Sequence, residues 1–220
     1  GRQGVRCGGR RGTHLSTPDL MSLVGAVHAA EAVVMGCSAG GLHALKVVLA
    51  TLRPARKVPI LVVCHTASDD LQGLARLLET CSAWPVREAR ERERPEPGVV
   101  QLAPSGYHLL VEPSGELSLS VDGRVSFARP SIDVLFETAA MAYGPRLIGV
   151  IMTGANHDGA RGLAAIRQRG GIAIVETPAT AEVATMPQAA LTLAGADHQA
   201  SLERMGALIT QLIDPRPIHP

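Results

Sequence analysis

Ser38 lies in the stretch Gly36-Cys37-Ser38-Ala39-Gly40-Gly41, directly after the apolar run 32–35. The Gly-x-Ser-x-Gly spacing is that of an elbow, a sharp strand-to-helix turn whose small neighbours leave a serine hydroxyl exposed as a nucleophile. The N–H of Ala39, at the start of the following helix, would then face a developing oxyanion. A serine hydroxyl needs a general base, and imidazole, which titrates near neutrality, is the natural one. His65 closes a second apolar run, 58–64. A carboxylate must hold the imidazole tautomer and offset its positive charge, and Asp158 follows a third such run, which starts at 146.

Each residue also has a plainer reading. Ser38 could N-cap the next helix, Asp158 could N-cap a helix over 159–168, and His65 could be structural. Gly36-x-Ser38-x-x-Gly41 matches two of the three glycines of a dinucleotide fingerprint. The acid expected at the end of the second strand is replaced there by Cys64-His65, and no Gly-Lys-Ser/Thr follows for a phosphate loop. Cys37, Cys64, His65 and His157 could be drawn together around a metal, but adjacent residues on a strand point to opposite faces and no helical ligand spacing supports the set. No metal and no cofactor is expected. The plain readings must all hold at once for the site to be inert, so the three residues together point to a Ser-His-Asp hydrolase. Its chain order differs from the Ser-Asp-His order of the α/β-hydrolases.

The elements that must position these groups share one grammar. Segments 32–38, 58–65, 146–158 and 170–177 are apolar, ending in polar or Gly residues, and helical patterns follow over 40–52, 69–81, 131–143, 159–168, 187–193 and 202–213. Near-continuous hydrophobic strands are buried on both faces. The expected fold is therefore α/β, a three-layer sandwich around a mostly parallel sheet. Residues 88–98 form a mixed-charge loop, and the short runs that follow up to 128, broken by turn signals, read as an antiparallel hairpin region. Thr17 and Pro18 open a short docking helix.

Composition narrows the partners. Formal net charge is +1 from 21 basic and 20 acidic residues, and aromatics make up 2% of the 220 residues, so neither a strong field nor stacking platforms select nucleic acid. No apolar run approaches the roughly 20 residues of a membrane span, so no direct membrane insertion is expected. The cysteines, Cys7, Cys37, Cys64 and Cys81, show no framework spacing, and a reducing, cytoplasmic setting is expected. His14, His28, His43, His198 and His219 lie outside the strand-end motifs and are expected at the surface.

Taken in order, "VVMGCSAGGLHAL" (33–45), "ILVVCH" (60–65), "GVVQLAPSGYHLLV" (98–111), "RPSIDVLFETAA" (129–140), "GVIMTGANHDGARGLAAIRQRGG" (149–171) and "ATMPQAAL" (184–191) resemble the chemotaxis protein-glutamate methylesterases of the CheB family. The resemblance implies a catalytic domain over 31–213, with a tail and short helix over 1–30 and a tail over 214–220. It implies Ser38 as nucleophile, His65 as base, Asp158 as orienting acid, and the N–H groups of Ala39 and Ala155 as oxyanion donors. It also implies hydrolysis of γ-glutamyl methyl esters on the cytoplasmic helices of methyl-accepting receptors, with glutamine deamidation as a companion activity. The chain departs from the family pattern at Gly154-Ala155-Asn156, where Gly-Met-Gly is usual and after which His157 precedes Asp158, at Thr66-Ala67-Ser68 after His65, where Met-Pro-Pro is usual, and at Glu176, where Gln is common. Asn156 is expected to tolerate a left-handed backbone there. With only 30 residues before the domain, control is expected from a separate receiver or signalling protein, or the chain is an excised domain. The rival readings are a receptor-signalling adaptor of weak activity and a small-ester serine hydrolase.

Overall fold

β1 (Ala32–Cys37) is buried along its whole length, as a strand covered on both faces must be. A computed structural model describes Gly1 and residues 29–66 and 70–215. The docking helix expected at Thr17 and Pro18, Cys7 and the end of the chain lie outside the described residues. After β1 come α1 (Gly41–Thr51), β2 (Ile60–Cys64), α2 (Leu71–Glu79), β3 (Val86–Glu88), β4 (Val100–Leu102), β5 (His108–Val111) and β6 (Leu117–Ser120). α3 (Ile132–Tyr143), β7 (Leu147–Ile151), α4 (Ala160–Gln168), β8 (Ile172–Glu176), α5 (Thr185–Leu193), β9 (His198–Ala200) and α6 (Leu202–Ile213) complete the fold.

Seven strands form one sheet in the order β3-β4-β2-β1-β7-β8-β9, and every pairing in it is parallel. Alternate side chains of β1 serve opposite cores. Val33, Met35 and Cys37 pack with α1, α2 and α6, whereas Ala32 and Val34 pack with α3, α4, α5 and the hairpin. The result is the three-layer α/β sandwich that the strand grammar implies.

The region 98–128 holds one antiparallel pair rather than a series. β5 and β6 pair from His108↔Ser120 to Val111↔Leu117 and carry Leu109, Val111 and Leu117 into the core beside α3. The run at 100–102 instead enters the main sheet as β4, parallel to β2 and β3. Its polar member, Gln101, is fully buried and accepts the Glu96 N–H at 2.8 Å. The last expected strand is reduced to a single bridge, Val125↔Ala128. Between its ends Ser126 and Phe127 take φ of 51° and 63°, and Phe127 is 90% exposed. The edge strands β3 and β9 are three residues each and begin or end among charged and polar residues, too short to show a period. Residues 89–98 form a loop, onto which Arg87 of β3 reaches, meeting Glu93 at 2.7 Å and Glu96 at 3.0 Å.

Candidate active site

β1 has β2 on one side and β7 on the other, so the chain reverses its direction of winding between β1 and β7. Open parallel sheets bind ligands at such a switch point, outside the carboxyl ends of the strands. Ser38 follows β1, His65 follows β2 and Asp158 lies on the loop after β7, so all three sit at that end. The ladder runs past the strands by a rung on each side. Ser38 N–H donates to Thr153 O at 2.9 Å, His65 N–H to Cys37 O at 3.0 Å and Met152 N–H to Gly36 O at 3.0 Å. The turn after Ser38 closes through Gly40, whose φ of 77° suits glycine. Gly40 is the N-cap of α1, with no side-chain capping bond, so the Ser38 hydroxyl is not spent as a cap.

Asp158 is fully buried. It does not cap the helix that follows it, whose N-cap is Gly159. Its carboxylate sits instead at the N-terminus of α3, where it accepts Ser131 Oγ–H at 2.8 Å, Ile132 N–H at 2.7 Å and Asp133 N–H at 3.0 Å. His65 Nε2 lies 3.1 Å from Asp158 Oδ2. The pair is close without meeting the geometry of a hydrogen bond. Burial alone would push the Asp158 carboxyl up. The His65 contact, then the Ile132 and Asp133 N–H groups and the Ser131 hydroxyl, outweigh burial and hold it below the ordinary carboxylate range. An anion is thus kept ready to face an imidazolium.

Ser38 and His65 line one cavity of about 290 Å³, together with Cys64, Arg124, Phe127 and Arg129. Its lining holds arginines and no carboxylate. With Nε2 turned to Asp158, Nδ1 is the ring nitrogen left for the serine. Among the described residues no hydrogen bond joins the Ser38 hydroxyl to that ring, an open arrangement common in sites without substrate. Ala39 and Ala155 are both exposed on the turns after β1 and β7. Thr153 ties these turns together: its hydroxyl donates to Ala39 O at 2.8 Å and accepts the Val183 N–H at 2.9 Å.

Asn156 keeps a negative φ, contrary to the left-handed conformation its position suggested; its side chain accepts the Asp158 N–H at 3.1 Å and closes a local turn instead. His157 is exposed. Glu176 is fully buried, with Oε2 accepting the Thr153 N–H at 2.7 Å and Oε1 without a partner among the described residues. Burial raises its carboxyl above the ordinary range, against the Thr153 bond. His43 is exposed, and His198 is half-buried on β9. No group of three or more His, Cys, Asp or Glu among the described residues is placed to hold a metal ion.

Three supporting residues carry no chemistry-bearing spacing of their own. Ser131 and Asp133 are small polar residues at a helix start, and His108 lies inside an apolar strand. His108 is buried, accepts the Ser131 N–H at Nδ1 at 3.2 Å and faces Gly123 O from Nε2 at 3.0 Å, contacts that the Nε2–H tautomer satisfies together. A chain of contacts thus runs from His108 through Ser131 to Asp158 and His65.

The model of the CheB methylesterase family matches residues 33–209. The chain belongs to the CheB methylesterase family. Among CheB-family relatives, a putative protein-glutamate methylesterase/protein-glutamine glutaminase of Leptospira interrogans is 46% identical over 182 residues, covering 83% of this chain and 94% of that protein. The protein-glutamate methylesterase FrzG of Myxococcus xanthus is 40% identical over 182 residues, and the chain spans only 54% of its length. The crystal structure of the Thermotoga maritima CheB methylesterase catalytic domain superposes with a TM-score of 0.79 at 29% identity, over 84% of this chain and all of that one. The α/β architecture is therefore that of a CheB catalytic domain.

Proposed function

We propose that this CheB-family chain is a protein-glutamate methylesterase that hydrolyses γ-glutamyl methyl esters on the cytoplasmic helices of methyl-accepting chemoreceptors, with Ser38, His65 and Asp158 as its triad. The observation that carries the triad is the convergence of three strand ends, with His65 Nε2 3.1 Å from a buried carboxylate and Ser38 in the same cavity. Family membership and the relatives' names support the substrate.

In this reading Ser38 Oγ attacks the ester carbonyl while His65 takes its proton, and Asp158 stabilises the imidazolium. The N–H groups of Ala39 and Ala155 hold the oxyanion. His65 returns the proton to the leaving methoxide, methanol departs, and water repeats the sequence on the acyl-enzyme. The same steps on a glutamine side chain release ammonia. Arg124 and Arg129, with no carboxylate in the cavity lining, suit a polyanionic protein surface, and exposed Phe127 offers an apolar contact beside it. Residues 31–213 carry this activity, and a separate receiver or signalling protein is its expected controller.

The test is methanol release from receptor fragments carrying labelled methyl-glutamate. Ser38→Ala lowers the rate by roughly a thousandfold or more. Equal release by wild type and variant would end the proposal, and turnover of small aryl esters alone would replace it with a small-ester hydrolase.

A further inference from the structure

Cys37 and Cys64 are register partners at the carboxyl ends of neighbouring parallel strands, each one residue before a proposed catalytic side chain. Facing strands lie about 4.8 Å apart, within the roughly 4.4–6.8 Å between Cα atoms that a disulfide spans. Their sulfurs converge on one point. A Cβ added to Gly41, the first residue of α1, would lie 2.7 Å from Cys37 Sγ and 3.2 Å from Cys64 Sγ. Only a residue without a side chain leaves room there for both.

The two thiols differ in access and in proton affinity. Cys37 is fully buried, whereas Cys64 lines the cavity that holds Ser38 and His65. The Cys37 thiol points a weak donor at Val63 O, 4.0 Å away. The neighbouring Cys64 sulfur, together with burial, pushes the Cys37 thiol up, and the proximity of Cys37 pulls the Cys64 thiol down despite its burial. The partly positive N-terminus of α1, against which both sulfurs sit, also favours a thiolate.

We infer that Cys64 and Cys37 form a peroxide-reactive dithiol, Cys64 attacking and Cys37 resolving, whose oxidation reversibly disables the adjoining Ser38–His65 site. The Cys64 thiolate attacks a peroxide oxygen: an S–O bond forms, the O–O bond breaks, hydroxide leaves, and Cys64 becomes a sulfenic acid. The Cys37 sulfur then attacks the Cys64 sulfur. The S–S bond forms, the S–O bond breaks, and the departing hydroxide takes the Cys37 proton as water. One peroxide is reduced to two waters and the two thiols are oxidised by two electrons. The bridge ties the residues preceding Ser38 and His65 to each other and so shifts the hydroxyl relative to the ring. The loss of activity rests on the methylesterase reading; the covalent chemistry does not.

The experiment treats the full chain with hydrogen peroxide and reads intact mass, a peptide map of all four cysteines, and ester hydrolysis relative to each untreated sample. A mass loss of about 2 Da is expected, mapping to Cys37–Cys64, with activity falling at least fivefold and returning with dithiothreitol. In Cys37→Ser, Cys64 stops at a sulfenic acid that dimedone traps; in Cys64→Ser, position 37 stays reduced. Failure of Cys64 to react at doses that oxidise Cys81, bridging to any other cysteine, or a complete Cys37–Cys64 bridge with unchanged hydrolysis overturns the inference. Should the untreated chain hydrolyse no ester, the methylesterase reading fails and the mass and mapping arms alone decide the dithiol.

Discussion

Asp158 and Asp133 each serve the helix at whose start the other lies. Asp158, on the loop before α4, accepts the N–H groups of Ile132 and Asp133 at the start of α3. Asp133, in the first turn of α3, accepts the N–H groups of Gly159 at 2.9 Å and Gly162 at 2.8 Å at the start of α4, and meets Arg161 at 3.2 Å. Both acids are buried, and each lies at the positive end of a helix dipole.

The exchange makes the two acids separable by mutation. Asp133→Ala leaves two buried N–H donors without an acceptor and is expected to cost about 2 kcal/mol of stability. Asp158→Asn is expected to lower turnover far more than Asp133→Ala, because it removes the charge facing His65. Urea unfolding and ester hydrolysis on the same two variants check the split.

Asp158 also sets an acid limb to stability. Its carboxyl is held below the ordinary range in the folded state, so its contribution is present above the unfolded carboxylate value of about 4 and is lost as pH falls through the lower folded value. Asp158→Asn should therefore flatten the fall in stability below about pH 4. Denaturant midpoints across that range measure it.

Glu176 carries the opposite sign. Its carboxyl is raised in the folded state, so its contribution is fully present below the unfolded value near 4.3 and is lost as pH rises through the folded value. Glu176→Gln retains an acceptor for the Thr153 N–H without a buried charge. Its melting temperature is expected to match wild type near pH 4 and to exceed it increasingly towards pH 7.

Ser131→Ala removes the hydroxyl that donates to Asp158 and N-caps α3 through Val134 N–H. A fall in kcat/KM on a small ester of about tenfold is expected, together with an upward shift of the acid limb of the pH–rate profile, as the carboxylate loses one of its donors. Ser131→Thr should recover most of both, which a merely destabilising effect would not do.

Phe127 stands in a strained turn at the cavity rim, where an aromatic side chain without a partner contact gains from a docked protein surface. Phe127→Ala is expected to raise KM for a methylated receptor fragment at least fivefold, with kcat within about twofold. Steady-state kinetics on the fragment decides this.

The strands that carry the proposed triad were legible because burial on both faces leaves nearly unbroken apolar runs, and because each run stops where the chemistry begins. β3 and β9 were not, since three residues give no periodicity and their register comes from the neighbouring strand. β4 was misplaced because turn residues on both sides mark its ends but do not choose a partner strand. The strand-end rule located Ser38, His65 and Asp158. It was silent on Ser131, Asp133 and His108, whose value lies in tertiary contacts with a loop 20 or more residues away in sequence.

The backbone bonds that extend the ladder past β1 and β2 also set how the site breathes. The amides of Ser38 and His65 donate to neighbouring strand ends, so their hydrogens should exchange with solvent only through openings that separate the central strands. The rim turn at 125–128 is held by local bonds, Val125 to Ala128 and back and Arg124 Nη1–H to Phe127 O, and can open without separating the central strands. Slow exchange at 38 and 65 beside fast exchange at 125–128 would describe a rigid floor under a yielding lip, with the proposed nucleophile and base ordered before any ester arrives.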